Sequence, residues 1–151
     1  MLYTHAGPEV AVASTKAFVA QITAAYVLGL YLAQVKGAMY RDEIQQTLDS
    51  LKDMPRKIQW VLDTQTDTVH AAAEQMVDAK SFLFLGRHVG YPVAMEGALK
   101  LKEIAYPFTQ GFPAGELKHG PLALAADGTP VLYLLPPASG RHRFTCKGTS
   151  V

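Results

Sequence analysis

Hydrophobic and polar positions divide this chain into stretches of different period. The longest apolar run, AFVAQITAAYVLGLYLAQV, lies between Lys16 and Lys36 and carries no charge over 19 residues, a length that would allow a membrane span. Gln21, Thr23 and Gln34, the many alanines, and the lack of an aromatic belt or of a one-sided basic flank favour a buried helix of a soluble protein. Ser14 or Thr15 is placed to cap its start and Gly37 to end it. A helix that is apolar nearly all round must be covered on every side, so a second subunit is expected to share in covering it.

Downstream the pattern becomes amphipathic. YRDEIQQTLDSLKDM puts Ile44, Leu48 and Leu51 on one helix face, with acids near its start, and Pro55 ends that helix or opens the next. RKIQWVLD and DTVHAAAEQMVDAK continue the helical spacing, with a break expected at Thr64 to Asp67. His70 is read as an ordinary helix residue, without a histidine, cysteine or carboxylate at ligand spacing. At Ser81 the period changes: SFLFLG is a short apolar run, typical of a parallel strand buried on both faces. RHVGY makes a tight turn, Pro92 suits the first turn of a helix, and Pro107 stops that helix near Tyr106. PFTQGFPAGELKHGP reads as a glycine- and proline-rich loop, and PVLYLLP, from Pro130 to Pro136, as a second buried strand. The remaining residues, PASGRHRFTCKGTSV, have no periodicity and are expected to be poorly ordered.

Composition narrows the function classes. The chain has 49% hydrophobic and 18% charged residues, a globular profile in a length that suits one domain. A net charge of +1 gives no broad field for nucleic acid or an anionic membrane. The single cysteine, Cys146, has no internal partner, and residues 1–8 lack a secretory layout, so a cytoplasmic location is expected.

The segment EGALKLKEIAY, residues 96–106, concentrates charge in apolar surroundings. On a helix Glu96, Lys100 and Glu103 share one stripe, while Lys102 points elsewhere. Two readings follow: a solvated ion-pair face, or a site. A helix after a buried strand and a glycine turn starts at the carboxyl edge of the sheet, where open α/β proteins place ligands. His119, in GELKHGP, falls in a loop rather than on an apolar helix face. A carboxylate, a lysine and a histidine are the groups needed to move a proton beside a carbonyl: a base at carbon, a cation for the oxyanion, and an acid or base at oxygen.

Three motifs in order, HAGPEVAVASTKAF, FLGRHVGYPVAMEGALKLKEIAY and GELKHGPLAL, closely resemble the isomerase domain of the glutamine:fructose-6-phosphate aminotransferase (isomerising) family. The resemblance covers about residues 1–136. It implies an α/β class: part of a pair of SIS (sugar isomerase) folds, each a parallel sheet flanked by helices, with a helix-rich N-terminal half. Residues 1–80 would be the end of the first fold and a helical connection, 81–136 the start of the second, and 137–151 a divergent tail. The resemblance makes Glu103 the group that shuttles a proton between C1 and C2 of the sugar and Lys100 its active-site neighbour. It makes His119 the ring-opening histidine, supplied across a subunit boundary, and Val12 and Ser14 sugar-contacting positions. It implies a phosphosugar substrate, a homodimer and a glutaminase domain in the parent protein, with no metal, cofactor, nucleic acid or membrane.

The resemblance has departures. The phosphate-binding serine/threonine loop would lie before Met1, and neither the glutaminase domain nor the C-terminal lysine that forms a Schiff base is in the chain. Gln110 stands where the family usually has glutamate, and the likeness stops after Pro136. On these grounds the chain alone is expected to be inactive. The rival reading is a non-catalytic SIS module that binds a phosphosugar as a regulatory ligand, which would need neither Glu103 nor His119.

Overall fold

The computed structural model describes residues 1–136 and divides into two compact units, Met1–Val77 and one starting at Asp78. The first unit is helical: α1 Lys16–Val35, α2 Arg41–Lys52 and α3 Met54–Gln75. Thr15 takes the N-cap position of α1 but makes no side-chain cap. Gly37 does end the helix: at φ +63° its N–H donates to Gln34 O (3.1 Å), and the Ala38 N–H donates to Ala33 O (2.9 Å). This pair of bonds is a Schellman stop, in which a left-handed residue satisfies carbonyls that the helix leaves open. At the start of α2 the Glu43 carboxylate accepts the Tyr40 backbone N–H at 2.7 Å. Pro55 lies in the first turn of α3, where its missing N–H costs nothing.

Three expectations for this half need correction. Within the chain α1 is not a buried helix, since among its residues only Leu30 is buried and Tyr26, Leu28, Tyr31, Leu32 and Val35 are exposed. It is also long and apolar enough to cross a bilayer. The break at Thr64 to Asp67 does not occur, because α3 runs through it. Thr64 and Thr66 bond back to the carbonyls of Trp60 and Leu62, so their hydroxyls do not compete with the helix from outside it. His70 does have a carboxylate one turn on: its Nδ1 lies 3.5 Å from Glu74 Oε1, and both side chains are exposed, as in an ordinary surface pair.

The second unit is a parallel sheet with a helix on it: β1 Ser81–Gly86, α4 Gly90–Ala105, β2 Phe108–Pro113, and β3 Val131–Leu134. Two 3-10 helices, Ala114–His119 and Pro121–Leu124, connect β2 to β3. The strand order is β2-β1-β3, with both pairs parallel and β1 central. Burial follows from that position: Phe82, Leu83, Phe84 and Leu85 are all buried. The register sets Ser81 against Phe108 and Gly86 against Pro113.

The stretch from Pro107 read as loop therefore starts with a strand. Thr109, Gln110, Gly111 and Pro113 hide it from a pattern reading, but the central strand supplies a full parallel partner and α4 packs on it. Gly111 allows the approach, since a Cβ there would lie 3.0 Å from Met95 Cα. The strand between Pro130 and Pro136 is present as β3, but Val131 and Tyr133 are exposed and Leu132 and Leu134 half-buried, so it is not a buried strand here. The tail from residue 137 onward lies outside the described residues.

Candidate active site

The segment EGALKLKEIAY forms the second half of α4. Gly90, Ala94 and Ala98 make the buried stripe of this helix, at the spacing of four expected for a face laid on a sheet. Opposite that stripe, Glu96, Lys100 and Glu103 are half-buried. The Lys100 ammonium donates to Glu103 Oε2 at 2.7 Å and stands 3.6 Å from Glu96 Oε1. Lys102, by contrast, is exposed and makes no side-chain bond among the described residues. The helix stops just beyond this group, where Tyr106 takes a left-handed conformation (φ +65°) ahead of Pro107.

The hydrogen bond that Lys100 donates to Glu103 raises the Lys100 pKa above its ordinary 10.5; burial works against this, and the charges of Glu103 and Glu96 add to it. Lys100 is therefore a fixed cation near neutral pH. It can offset negative charge that develops on an oxygen, but it cannot be the base. A carboxylate is the group in this cluster able to accept a proton, and Glu103 is the carboxylate in direct hydrogen bond with that cation.

The other residues singled out from the sequence do not join this pair by hydrogen bond or ion pair among the described residues. His119 ends the first 3-10 helix, with its side chain exposed. That turn leaves β2 at Pro113, level with Gly86 and hence at the edge where α4 begins. Glu103 stands 13 residues into α4 from Gly90, about 20 Å along its axis. The carboxyl-edge placement expected for the charged stripe thus holds for the start of α4 and not for Lys100 and Glu103. Val12 and Ser14 belong to the first unit, before α1: Val12 is exposed, and the Ser14 hydroxyl donates to Glu9 Oε2 at 3.4 Å. Gln110 sits on β2 opposite Leu83, exposed.

A further polar residue went unnoticed in the sequence because it lay in the supposed loop. Thr109 is fully buried, and its hydroxyl donates to the Ala98 carbonyl at 2.7 Å. The first unit holds a groove of about 520 Å³ between α1 and α2, lined by Ile22, Tyr26, Leu30, Met39 and Thr47 among others. It offers no acid, amine or imidazole for catalysis. Among the described residues no group of histidine, cysteine and carboxylate side chains could hold a metal ion.

Comparison with known proteins bears on the site. Residues 75–146 match the SIS domain family. Over 149 residues, 99% of the chain, it is 62% identical to the glutamine–fructose-6-phosphate aminotransferase [isomerizing] of Corynebacterium efficiens, so the likeness does not stop after Pro136 as expected. Over 147 residues it is 54% identical to the enzyme of the same name from Mycobacterium tuberculosis. The chain spans about a quarter of the length of these relatives, 24% and 23%. Among solved structures it superposes on the C-terminal domain of glucosamine-fructose-6-phosphate aminotransferase from Francisella tularensis with a TM-score of 0.84 and 39% identity. That match covers 89% of this chain and 38% of the other.

Proposed function

From the match of residues 75–146 to the SIS domain family, we propose that the chain supplies the proton-transfer part of an aminotransferase–isomerase site. The whole protein would convert fructose 6-phosphate and ammonia drawn from glutamine into glucosamine 6-phosphate. The observation that carries this reading is the half-buried Lys100–Glu103 pair at 2.7 Å, set in a chain that is 62% identical to such an enzyme.

In this reading ammonia first replaces the C2 carbonyl oxygen, which leaves as water, to give an imine. Glu103 takes the proton from C1 and returns one to C2 while the C1 hydroxyl proton passes to the nitrogen, so that C2 carries an amine and C1 an aldehyde, and the sugar moves from the ketose to the aldose series. Lys100, held cationic by Glu103 and Glu96, offsets the negative charge that builds on substrate oxygen during the shift. His119 assists ring opening. Its side chain, exposed and without a hydrogen bond or ion pair to Lys100 or Glu103 among the described residues, is free to serve a second copy of the chain. Val12 and Ser14 contact the sugar. The protein works as a homodimer in the cytoplasm, with α1 covered by protein rather than lipid, and receives ammonia from a glutaminase domain.

The test is a chimera in which the 149 matched residues replace the corresponding segment of the Corynebacterium efficiens enzyme. It should form glucosamine 6-phosphate, and Glu103→Gln, which keeps size but removes the base, should slow the proton shift by about 10²-fold or more while leaving sugar binding intact. Near-normal product formation by Glu103→Gln would show that the base is wrong. Sugar binding without turnover in the unmutated chimera would favour the regulatory module instead.

A further inference from the structure

We infer that Thr109 is a positioning residue: its hydroxyl, bonded to the Ala98 carbonyl, sets the roll of α4 and so the aim of Lys100 and Glu103. The inference rests on the reading of that pair as the proton-transfer groups. Thr109 is fully buried on β2 and reaches across 11 residues of sequence to α4 at 2.7 Å. The bond is not needed to satisfy the helix, because the Ala98 carbonyl already accepts the Lys102 N–H in the ordinary i to i+4 ladder. Nor is a hydroxyl needed for packing. A valine has the same shape, and a buried hydroxyl brings a desolvation cost that only its hydrogen bond offsets.

What the hydroxyl adds is direction. The stripe that α4 lays on the sheet is Gly90, Ala94 and Ala98, small groups that interlock little, and beside it the Phe84 ring lies against Gly97, which has no side chain to hold it. Gly111, two residues after Thr109 and on the same face of β2, brings the strand to within contact of Met95 and Ala94, so the two backbones lie close and smooth against each other. Thr109 pins one point of that contact. Lys100 and Glu103 project from the far side of α4, at the outer helix radius of roughly 5–6 Å, where a roll of about 10° moves a group by about 1 Å. A misplacement of about 1 Å can lower a rate by up to 10²-fold.

The experiment uses the same chimera with Thr109→Val, Thr109→Ser and, as a reference, Glu103→Gln, each assayed for kcat and KM. Thr109→Val should lower kcat by about tenfold with KM within about twofold, because aim is lost and binding is not, and Thr109→Ser should restore kcat. A kcat for Thr109→Val equal to the parent's, or a Thr109→Ser as impaired as Thr109→Val, overturns the inference while Glu103→Gln remains damaging. A silent Glu103→Gln removes the functional reading and this inference with it. If Thr109→Val does not assemble, Thr109→Ala is read by the same two constants. Failure of both to assemble beside a normal Thr109→Ser also overturns it, since the hydroxyl would then serve folding and not aim.

Discussion

Lys100 carries its proton between two carboxylates, and that arrangement fixes a pH window. Its pKa is raised above 10.5 by the hydrogen bond to Glu103. The ion pair's contribution to stability is therefore fully present below pH 10.5 and is lost as pH rises through the raised folded value. Denaturation midpoints of the chimera and of its Lys100→Met variant should differ at neutral pH and converge in strongly alkaline buffer; a constant offset across that range would mean that packing, not charge, makes the difference. Lys102→Ala should leave midpoint and turnover nearly unchanged, since its side chain is exposed and unbonded among the described residues. At this scale the spacing of Glu96, Lys100 and Glu103 was enough to place them on one stripe. It was not enough to choose between a salt-bridged surface and a site, and it is the resemblance that favours a site. Thr109 was not legible at all, because a threonine between phenylalanine and glutamine carries no mark of burial until a strand and a helix close on it.

At the scale of elements, boundaries written in local chemistry were legible. Gly37 stops α1 in a left-handed conformation that other residues adopt at a cost of about 1–2 kcal/mol. In the chimera, Gly37→Ala should lower the denaturation midpoint by the equivalent of about 1 kcal/mol, read by denaturant titration followed by circular dichroism; no change would show that the helix simply frays there. β1 was legible because SFLFLG needs no help to be recognised as an interior strand. β2 was not, since FTQGFP owes its extension to partners rather than to its own residues: the β1 ladder on one side and α4 above Thr109 and Gly111. The continuous α3 has the opposite cause, as its threonines bond back into the helix instead of interrupting it.

For the whole molecule, the described residues leave much apolar surface uncovered. Along α1 the side chains of Tyr26, Tyr31, Leu32 and Val35 are exposed, and on α4 those of Met95, Leu99 and Ile104. Surfaces of this kind promote association. Residues 1–151 purified alone should sediment as oligomers or aggregates, melt over a broad range, and show neither turnover of fructose 6-phosphate with ammonia nor a melting shift with the sugar. A cooperative melt that rises with ligand would overturn that expectation. In the active chimera, mixing Glu103→Gln subunits with His119→Ala subunits should regenerate some sites with both groups intact. No recovery despite confirmed exchange would place both groups in one subunit.

The strand order β2-β1-β3 also has a consequence in time. The strand that becomes the middle of the sheet is the first of the three to be synthesised, and its neighbours follow on separate schedules. β2 begins 22 residues after the end of β1, and β3 begins 45 residues after it. At about 5–20 residues per second, Phe82 to Leu85 wait roughly 1–4 s for one flank and 2–9 s for the other. For those seconds the greasiest stretch of the second unit is a nascent segment without its neighbours, and it is there that a chaperone would find its grip.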